Sequence, residues 1–255
     1  MDSYSNSILA IQCSLDGFSF AIYDSITAAF TQTGSVQSLA EFKKLNIDTT
    51  DFQRVITIID NNEHTIVPND LYEDSKKRQY LEFLGLGSGM QIFTEDINAV
   101  DAVNIFAVSS EQLDNVSNLN ADIEIRHIST VFIRAVMNRF RDSITPRIAV
   151  DVHRDYFEMA AVNGYNLLMH NIFHFKTKED FAYFLLFAME QLHLDGEITP
   201  LYFAGAIDEK SQIVELCSHY IRDIRFFRRD SETKLAQDIE GTPFYCNFTL
   251  FNSLI

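Results

Sequence analysis

Residues 9–25 read LAIQCSLDGFSFAIYDS, and residues 148–164 read IAVDVHRDYFEMAAVNG. The second stretch aligns with the first without a gap, displaced by 139 positions. Each reads as a short apolar strand, a polar turn, a second strand of alternating polarity, and another turn. Four aligned pairs are identical: Ala10/Ala149, Asp16/Asp155, Phe18/Phe157 and Ala21/Ala160. Each stretch leads into a third strand, TAAFT at 27–31 and LLMHNIFHF at 167–175. An internal repeat of this kind predicts a molecule made of two similar halves.

Outward from the repeat, strands are expected at 8–12, 18–23 and 27–31, with Asp16-Gly17 as a tight turn in which Gly supplies the positive φ. SVQSLAEFKKLNI at 35–47 reads as an amphipathic helix capped by Ser38, with Leu39, Phe42 and Leu45 on one face. VITIID at 55–60 has the continuous apolar pattern of a strand covered on both faces. The turn NNEH and the strand TIVP at 65–68 follow, and 69–86 is expected to be mostly helix. After GLGSG at 85–89 come strands at 90–97 and 102–109, a helix to about Leu119, a strand at 123–128 and a helix at 129–141. SITPR at 143–147 punctuates the chain. The order then repeats: three strands from 147 to 175, a helix at 178–194 with acidic residues in its first turn, a strand at 200–205, a helix at 208–221 and a strand at 223–227. The Phe-rich tail from 234 ends in FYCNFTLFNSLI, read as a terminal helix. Each half is therefore β-β-β-α-β-α-β, with a hairpin-like insertion in the first. The halves are drawn at 1–143 and 144–255, each an α/β unit with a mixed sheet flanked by helices.

Composition narrows the function classes. The chain has 255 residues, 47% hydrophobic, with 22 Phe and no Trp, enough for two sizeable cores. A net charge of −16 disfavours nucleic acid and anionic lipid as partners, because both are bound through Lys and Arg. The basic clusters KKR at 76–78 and Arg222, Arg225, Arg228 and Arg229 read as solvated faces. Cys13, Cys217 and Cys246 match no metal spacing, and their low, odd count fits a reducing compartment. MDSYSNS carries no signal-peptide pattern. The longest apolar run, FAYFLLFAM at 181–189, falls short of the roughly 20 residues that a membrane span needs. A cytoplasmic protein without membrane insertion is expected.

Two halves that each open with a strand triplet resemble the actin-like ATPase fold, a tandem pair of ribonuclease H-like domains. The whole chain also resembles a Bacteroidetes family grouped with that fold. In actin-like ATPases each hairpin turn is a phosphate loop of pattern acidic–apolar–Gly, where the acid positions metal-bound water and the small residues admit phosphate. The matching positions are Gln12, Cys13 and Ser14 in the first half and Asp151, Val152 and His153 in the second. The first half has lost its acid, and both halves lack the pattern's glycine, with Ser14 and His153 in its place. A turn bearing His153 and Arg154 would crowd phosphates, although Arg154 could hold an anion. The family's adenosine loop, an apolar strand ending in paired glycines, corresponds to LYFAGAID at 201–208, with Ala204-Gly205 in place of two glycines. The same residues also read as a strand-to-helix turn, the preferred reading. The resemblance thus implies Gln12, Ser14, Asp151, His153, Ala204 and Gly205 as nucleotide-binding positions, with ATP and Mg²⁺ as the implied ligands.

Other candidate sites have simpler readings. GLGSG follows a helix pattern instead of a strand, so a glycine cap explains it better than a dinucleotide fingerprint. His170, His174 and His193 lack Cys or acidic neighbours and read as sheet-face or surface residues. Asp60, Asp151 and Asp208 would make a Mg²⁺ cluster of nuclease type only with an acid inside the first strand, which has none. The sequence favours a non-catalytic or weakly nucleotide-binding scaffold with a protein partner. The alternatives are a Mg²⁺-dependent ATPase or sugar-kinase-like phosphotransferase and, lowest, a ribonuclease H-like nuclease.

Overall fold

The computed structural model describes residues 4–14, 17–87, 89–117, 123–229, 233–236, 239 and 243–254. Asp16 of the hairpin turn, Ser88 of the glycine-rich stretch and Leu119 lie outside them. In chain order the elements are β1 (Ser7–Ser14), β2 (Gly17–Asp24), β3 (Ala29–Val36), α1 (Leu39–Lys44), β4 (Arg54–Ile59), β5 (His64–Pro68), β6 (Gln91–Ile97), β7 (Ala102–Val108), α2 (Ser110–Ser117), β8 (Ile123–His127) and α3 (Ile128–Phe140). There follow β9 (Arg147–Val152), β10 (Tyr156–Asn163), β11 (Asn166–His174), α4 (Lys178–Gln191), β12 (Leu201–Gly205), α5 (Gln212–Cys217), β13 (Ile224–Phe226), β14 (Lys234–Leu235) and α6 (Phe248–Asn252). The chain divides into two compact units, one of residues 1–131, 230–241 and 250–255, the other of 132–229 and 242–249.

In the first unit the sheet order is β14-β3-β2-β1-β4-β8. β1 runs antiparallel to β2 and parallel to β4, so it is a central strand with Leu9, Ala10 and Ile11 fully buried. Its core gathers Leu9, Ile11, Phe18, Phe20, Phe42, Val55 and Ile59. The insertion between β4 and β8 forms a second sheet, β5-β7-β6, over a smaller core around Leu81 and Ile105. β14 closes one edge beside β3, and Phe251 packs its ring 4.7 Å from Phe30.

In the second unit the order is β11-β10-β9-β12-β13. The first three strands are antiparallel neighbours, and β12 and β13 run parallel to β9, the same arrangement as β3-β2-β1-β4-β8. Phe157, Phe181 and Phe203 are fully buried at its centre, with the first two rings 4.2 Å apart. α4 starts with a capping box between Thr177 and Asp180. Each satisfies a backbone N–H that the first helical turn leaves without an intrahelical partner.

The tail read as a terminal helix instead gives the strand β14, a 3₁₀ turn at Phe244–Asn247 and the five-residue α6. Three further expectations change. The third strand begins at Ala29 and runs to Val36, because β2 keeps pairing with it as far as Phe18↔Val36. Gly34 permits this: a Cβ there would lie 2.7 Å from the Phe20 ring. The helix expected at 35–47 therefore shrinks to α1, still capped by Ser38 and ended by Asn46 at φ 54°. The helix expected over 69–86 resolves into 3₁₀ turns at Asn69–Leu71, Asp74–Lys76 and Gln79–Leu84. The Tyr80 hydroxyl donates to the Leu71 carbonyl at 2.6 Å and accepts from the Glu73 N–H at 3.1 Å, so a side chain uses backbone groups that a continuous helix would pair. Third, the helix expected at 208–221 is confined to α5 with Ser211 as its cap, because Asp208 instead turns the chain by accepting from the Lys210 N–H at 2.7 Å.

An ion cluster ties β4 and β8. Glu124 accepts from Arg54 at 2.8 Å and from Arg126 at 2.8 Å, while Arg126 also donates to the Ser253 carbonyl at 2.8 Å. Burial opposes ionisation of Glu124, but the hydrogen bonds from Arg126 and Arg54 outweigh it and hold its carboxyl below the ordinary 4.5. A lowered folded value means that this contribution is full above the ordinary value and disappears as pH falls through the folded one. Glu124→Gln is expected to lower the unfolding midpoint near neutral pH, with the difference from wild type vanishing in acid; denaturant titrations across that range check it. Phe157→Ala is expected to cost about 3–5 kcal/mol by opening a cavity, whereas Tyr183→Ser, at a side chain 63% exposed, should leave the midpoint nearly unchanged.

Candidate functional site

The positions singled out in the sequence lie where two parallel strands end side by side, once in each unit. In the first unit Gln12 and Cys13 pair with Ile58 and Ile59 of β4. The Asp60 N–H then donates to the Cys13 carbonyl at 3.0 Å, which brings Asp60 beside the end of β1. Gln12 Nε2 donates to Asp60 Oδ2 at 2.9 Å, and Asp60 is only 5% exposed. Ser14 Oγ donates back to the Gly17 carbonyl at 3.2 Å across the hairpin. Burial, reinforced by the nearby Asp60 charge, pushes the Cys13 thiol up to about 12, so it is no thiolate nucleophile at neutral pH.

In the second unit Asp151 and Val152 pair with Ala204 and Gly205 of β12. Asp151 is 3% exposed, and its Oδ2 accepts from Thr249 Oγ1 at 2.7 Å. Gly205 has φ 84°, and a Cβ on it would stand 2.3 Å from both Asp151 Oδ1 and the Val152 carbonyl oxygen. The glycine is thus required by close approach of two strand ends. The His153 N–H donates to the Tyr156 carbonyl at 2.9 Å, spending on the hairpin a donor of the kind that a phosphate loop presents to its ligand. The His153 ring stacks on Tyr156 at 4.2 Å with 9° between planes, and its Nε2 lies 3.9 Å from Asp151 Oδ2.

The structure therefore brings Gln12 and Ser14 to one strand end and Asp151, His153, Ala204 and Gly205 to another. Thr249 was not legible as a partner of Asp151, being 98 positions away in a stretch read only as apolar tail. Asp60, set aside above as part of a Mg²⁺ cluster, is buried and pairs with Gln12. Of the histidines, His170 does have an acidic neighbour, contrary to the sequence reading: across β10 and β11 it binds the buried Glu158 at 2.5 Å, a residue 12 positions away that only strand pairing brings to it. Gly85 ends a 3₁₀ turn at φ 64°, as a cap.

Sequence reading also missed a buried polar network in the first unit. His127 Nδ1 accepts from the Ser129 N–H at 3.2 Å, so Nε2 carries the proton and donates to Asn61 Oδ1 at 3.2 Å. Asn104 Nδ2 donates to Thr130 Oγ1 at 2.9 Å, which turns its Oδ1 toward His64 Nδ1–H at 3.0 Å. His64 Nε2 then accepts from Ser129 Oγ at 3.2 Å. The Ser129–His64–Asn104 chain has the hydroxyl–imidazole–amide order of a nucleophilic triad, but Ser129 and Asn104 are fully buried and no substrate reaches them. It satisfies polar groups where β5, β7, β8 and the start of α3 meet. Its one signal in the sequence is Asn104 inside the otherwise apolar strand AVNIFAV.

Among the described residues no helix is long and apolar enough to cross a membrane. No curated protein sequence matches the chain significantly. Among solved structures it is similar to a Bacteroides thetaiotaomicron protein described as having an actin-like ATPase fold and unknown function, at 20% identity and TM-score 0.78 over 89% of this chain and 93% of that one. The chain is also similar to a structure described as the PilM-PilN type IV pilus biogenesis complex, at 9% identity and TM-score 0.71 over 96% of both chains. AlfA from a B. subtilis plasmid, solved as a filament, matches at 10% identity and TM-score 0.51 over 97% of this chain and 98% of that one. These likenesses establish the actin-like ATPase fold, and a family model described as "Protein of unknown function (DUF3822)" matches residues 1–224, so the chain belongs to that family.

Proposed function

We propose that this protein is a non-hydrolysing member of the actin-like group that works as an intracellular partner-binding scaffold, its sequence a duplication of halves drawn at 1–143 and 144–255. The observation that carries the reading is the closed state of Asp151, buried and bonded to Thr249 at 2.7 Å. The carboxylate best placed to order metal-bound water is committed to a protein hydroxyl. At the matching position of the first unit stands Gln12, whose amide is committed to Asp60. Neither turn has glycine at the phosphate-loop position, where Ser14 and His153 stand, and Gly205 is filled from behind by Asp151 and Val152. These residues do not fit a Mg²⁺–nucleotide complex. The five-strand order shared by β3-β2-β1-β4-β8 and β11-β10-β9-β12-β13 supports the duplication. Three cysteines without a disulfide suit a reducing interior. A partner role is supported by the neighbour PilM, described in complex with PilN.

Purified protein is expected to show no thermal shift with ATP or ADP and Mg²⁺ at about 1 mM, a range that detects even weak affinity, and no phosphate release. Mg²⁺-dependent hydrolysis abolished by Asp151→Asn would sink the proposal. Gly205→Ala is expected to lower the melting temperature by the same amount with and without nucleotide, because its clash is internal; a nucleotide-dependent difference would point to a working adenosine loop.

A further inference from the structure

The second unit holds a cavity of about 870 Å³ that the preceding reading leaves unused. It follows the free edge of the sheet. β13 ends the strand order, with β12 on one side and no strand on the other among the described residues. Leu201 N–H donates to the Asp223 carbonyl and Phe227 N–H to the Phe203 carbonyl, so residues 223 and 227 face β12. Alternation along a strand then turns the N–H and C=O of Ile224 and Phe226 outward. The lining comes from both sides of that edge: Ile224, Phe226 and Val214 from one, and Phe140, Tyr202 and Phe227 from the other. The last three rings stand 4.7–5.8 Å apart, with Tyr202 half-buried at the surface and Phe140 and Phe227 buried behind it.

The rim is basic in a chain of net charge −16. Four arginines, 139, 147, 225 and 228, line the cavity with only two acidic residues, Asp142 and Glu209. Arg225 is bound to Asp223 at 2.6 Å and to the Tyr202 hydroxyl at 2.9 Å. Arg147 donates to Thr145 and to the Pro146 carbonyl, and no carboxylate pairs with Arg147 or Arg228 among the described residues. The arginines at 225 and 228, read from sequence as a solvated face, thus join Arg139 and Arg147 around one groove.

We propose that this groove binds an acidic peptide in extended conformation, added as a strand along β13. Open-edge backbone groups supply main-chain hydrogen bonds, Tyr202 on one face and Ile224 and Phe226 on the other receive alternate side chains, and Arg147 and Arg228 receive carboxylates. The inference gives the partner of the scaffold reading a place, and rests on that reading only in calling the occupant a partner. ATP hydrolysis by the protein would remove the scaffold reading and leave the groove untouched; failure of peptide binding does the reverse.

The test is fluorescence anisotropy with labelled nine-residue peptides alternating Val with Asp or Glu. Micromolar binding is expected, weakened at least about tenfold in Arg147→Ala/Arg228→Ala, one decade being about 1.4 kcal/mol. Lys-for-Glu peptides should not bind. Ile224→Pro removes an outward N–H at an edge position where proline is tolerated, and should abolish binding, with some loss of melting temperature because Ile224 also packs on the core of its unit. Peptides N-methylated on the bonding edge give the same reading with the native protein, should the proline variant misfold. No binding at about 1 mM, equal binding of basic peptides, undiminished affinity in the arginine variant, or competition only by inorganic phosphate or ATP would each overturn the proposal.

Discussion

Everything in this molecule depends on one pairing constraint: a strand held antiparallel to its own hairpin partner on one side and parallel to a much later strand on the other. β1 meets β2 and β4, and β9 meets β10 and β12. Such strands are covered on both faces, so they must be apolar along their length, and only their ends can carry chemistry. Parallel partners end at the same level, which is why Gln12 comes beside Asp60 and Asp151 beside Gly205. The strand is the fixed part, and the last residue or two decide whether its end receives a ligand or a neighbouring side chain.

At both ends the choice has gone to neighbouring side chains. In the first unit an amide occupies the acid's place and turns to the next strand's carboxylate. In the second the acid is kept but sealed by a threonine from the tail. A lone buried carboxylate would carry a large desolvation penalty, and the hydroxyl offsets part of it. The same logic accounts for His64, His127, Asn61 and Asn104, whose donors and acceptors are matched through an ordered chain of tautomers.

How much of this was legible in the sequence follows the range of the forces involved. The strand triplets were, because period-two alternation and turn residues are local signals, and so was α4 with its acidic first turn. The stretch 69–86 was not, because a hydroxyl nine residues away redirects its backbone. Of the site, the loss of the acid at Gln12 was visible as a letter. The sealing of Asp151 by Thr249 was not, since no local pattern links residues 98 positions apart. The β13 edge groove was hidden for a related reason: its arginines come from α3, the start of β9 and the β13 region, and only folding assembles them.

The placement of the tail has a consequence for synthesis. β14, Phe251 and Ser253 belong to the first unit, pairing with β3, packing on Phe30 and accepting from Arg126. A ribosome makes these residues more than a hundred positions after the rest of that unit, so the N-terminal domain cannot reach its final state before they have been made. Domains commonly fold in order as they emerge. Here the first to emerge must wait, with the β3 edge and the Phe30 ring uncovered, until translation has passed residue 253.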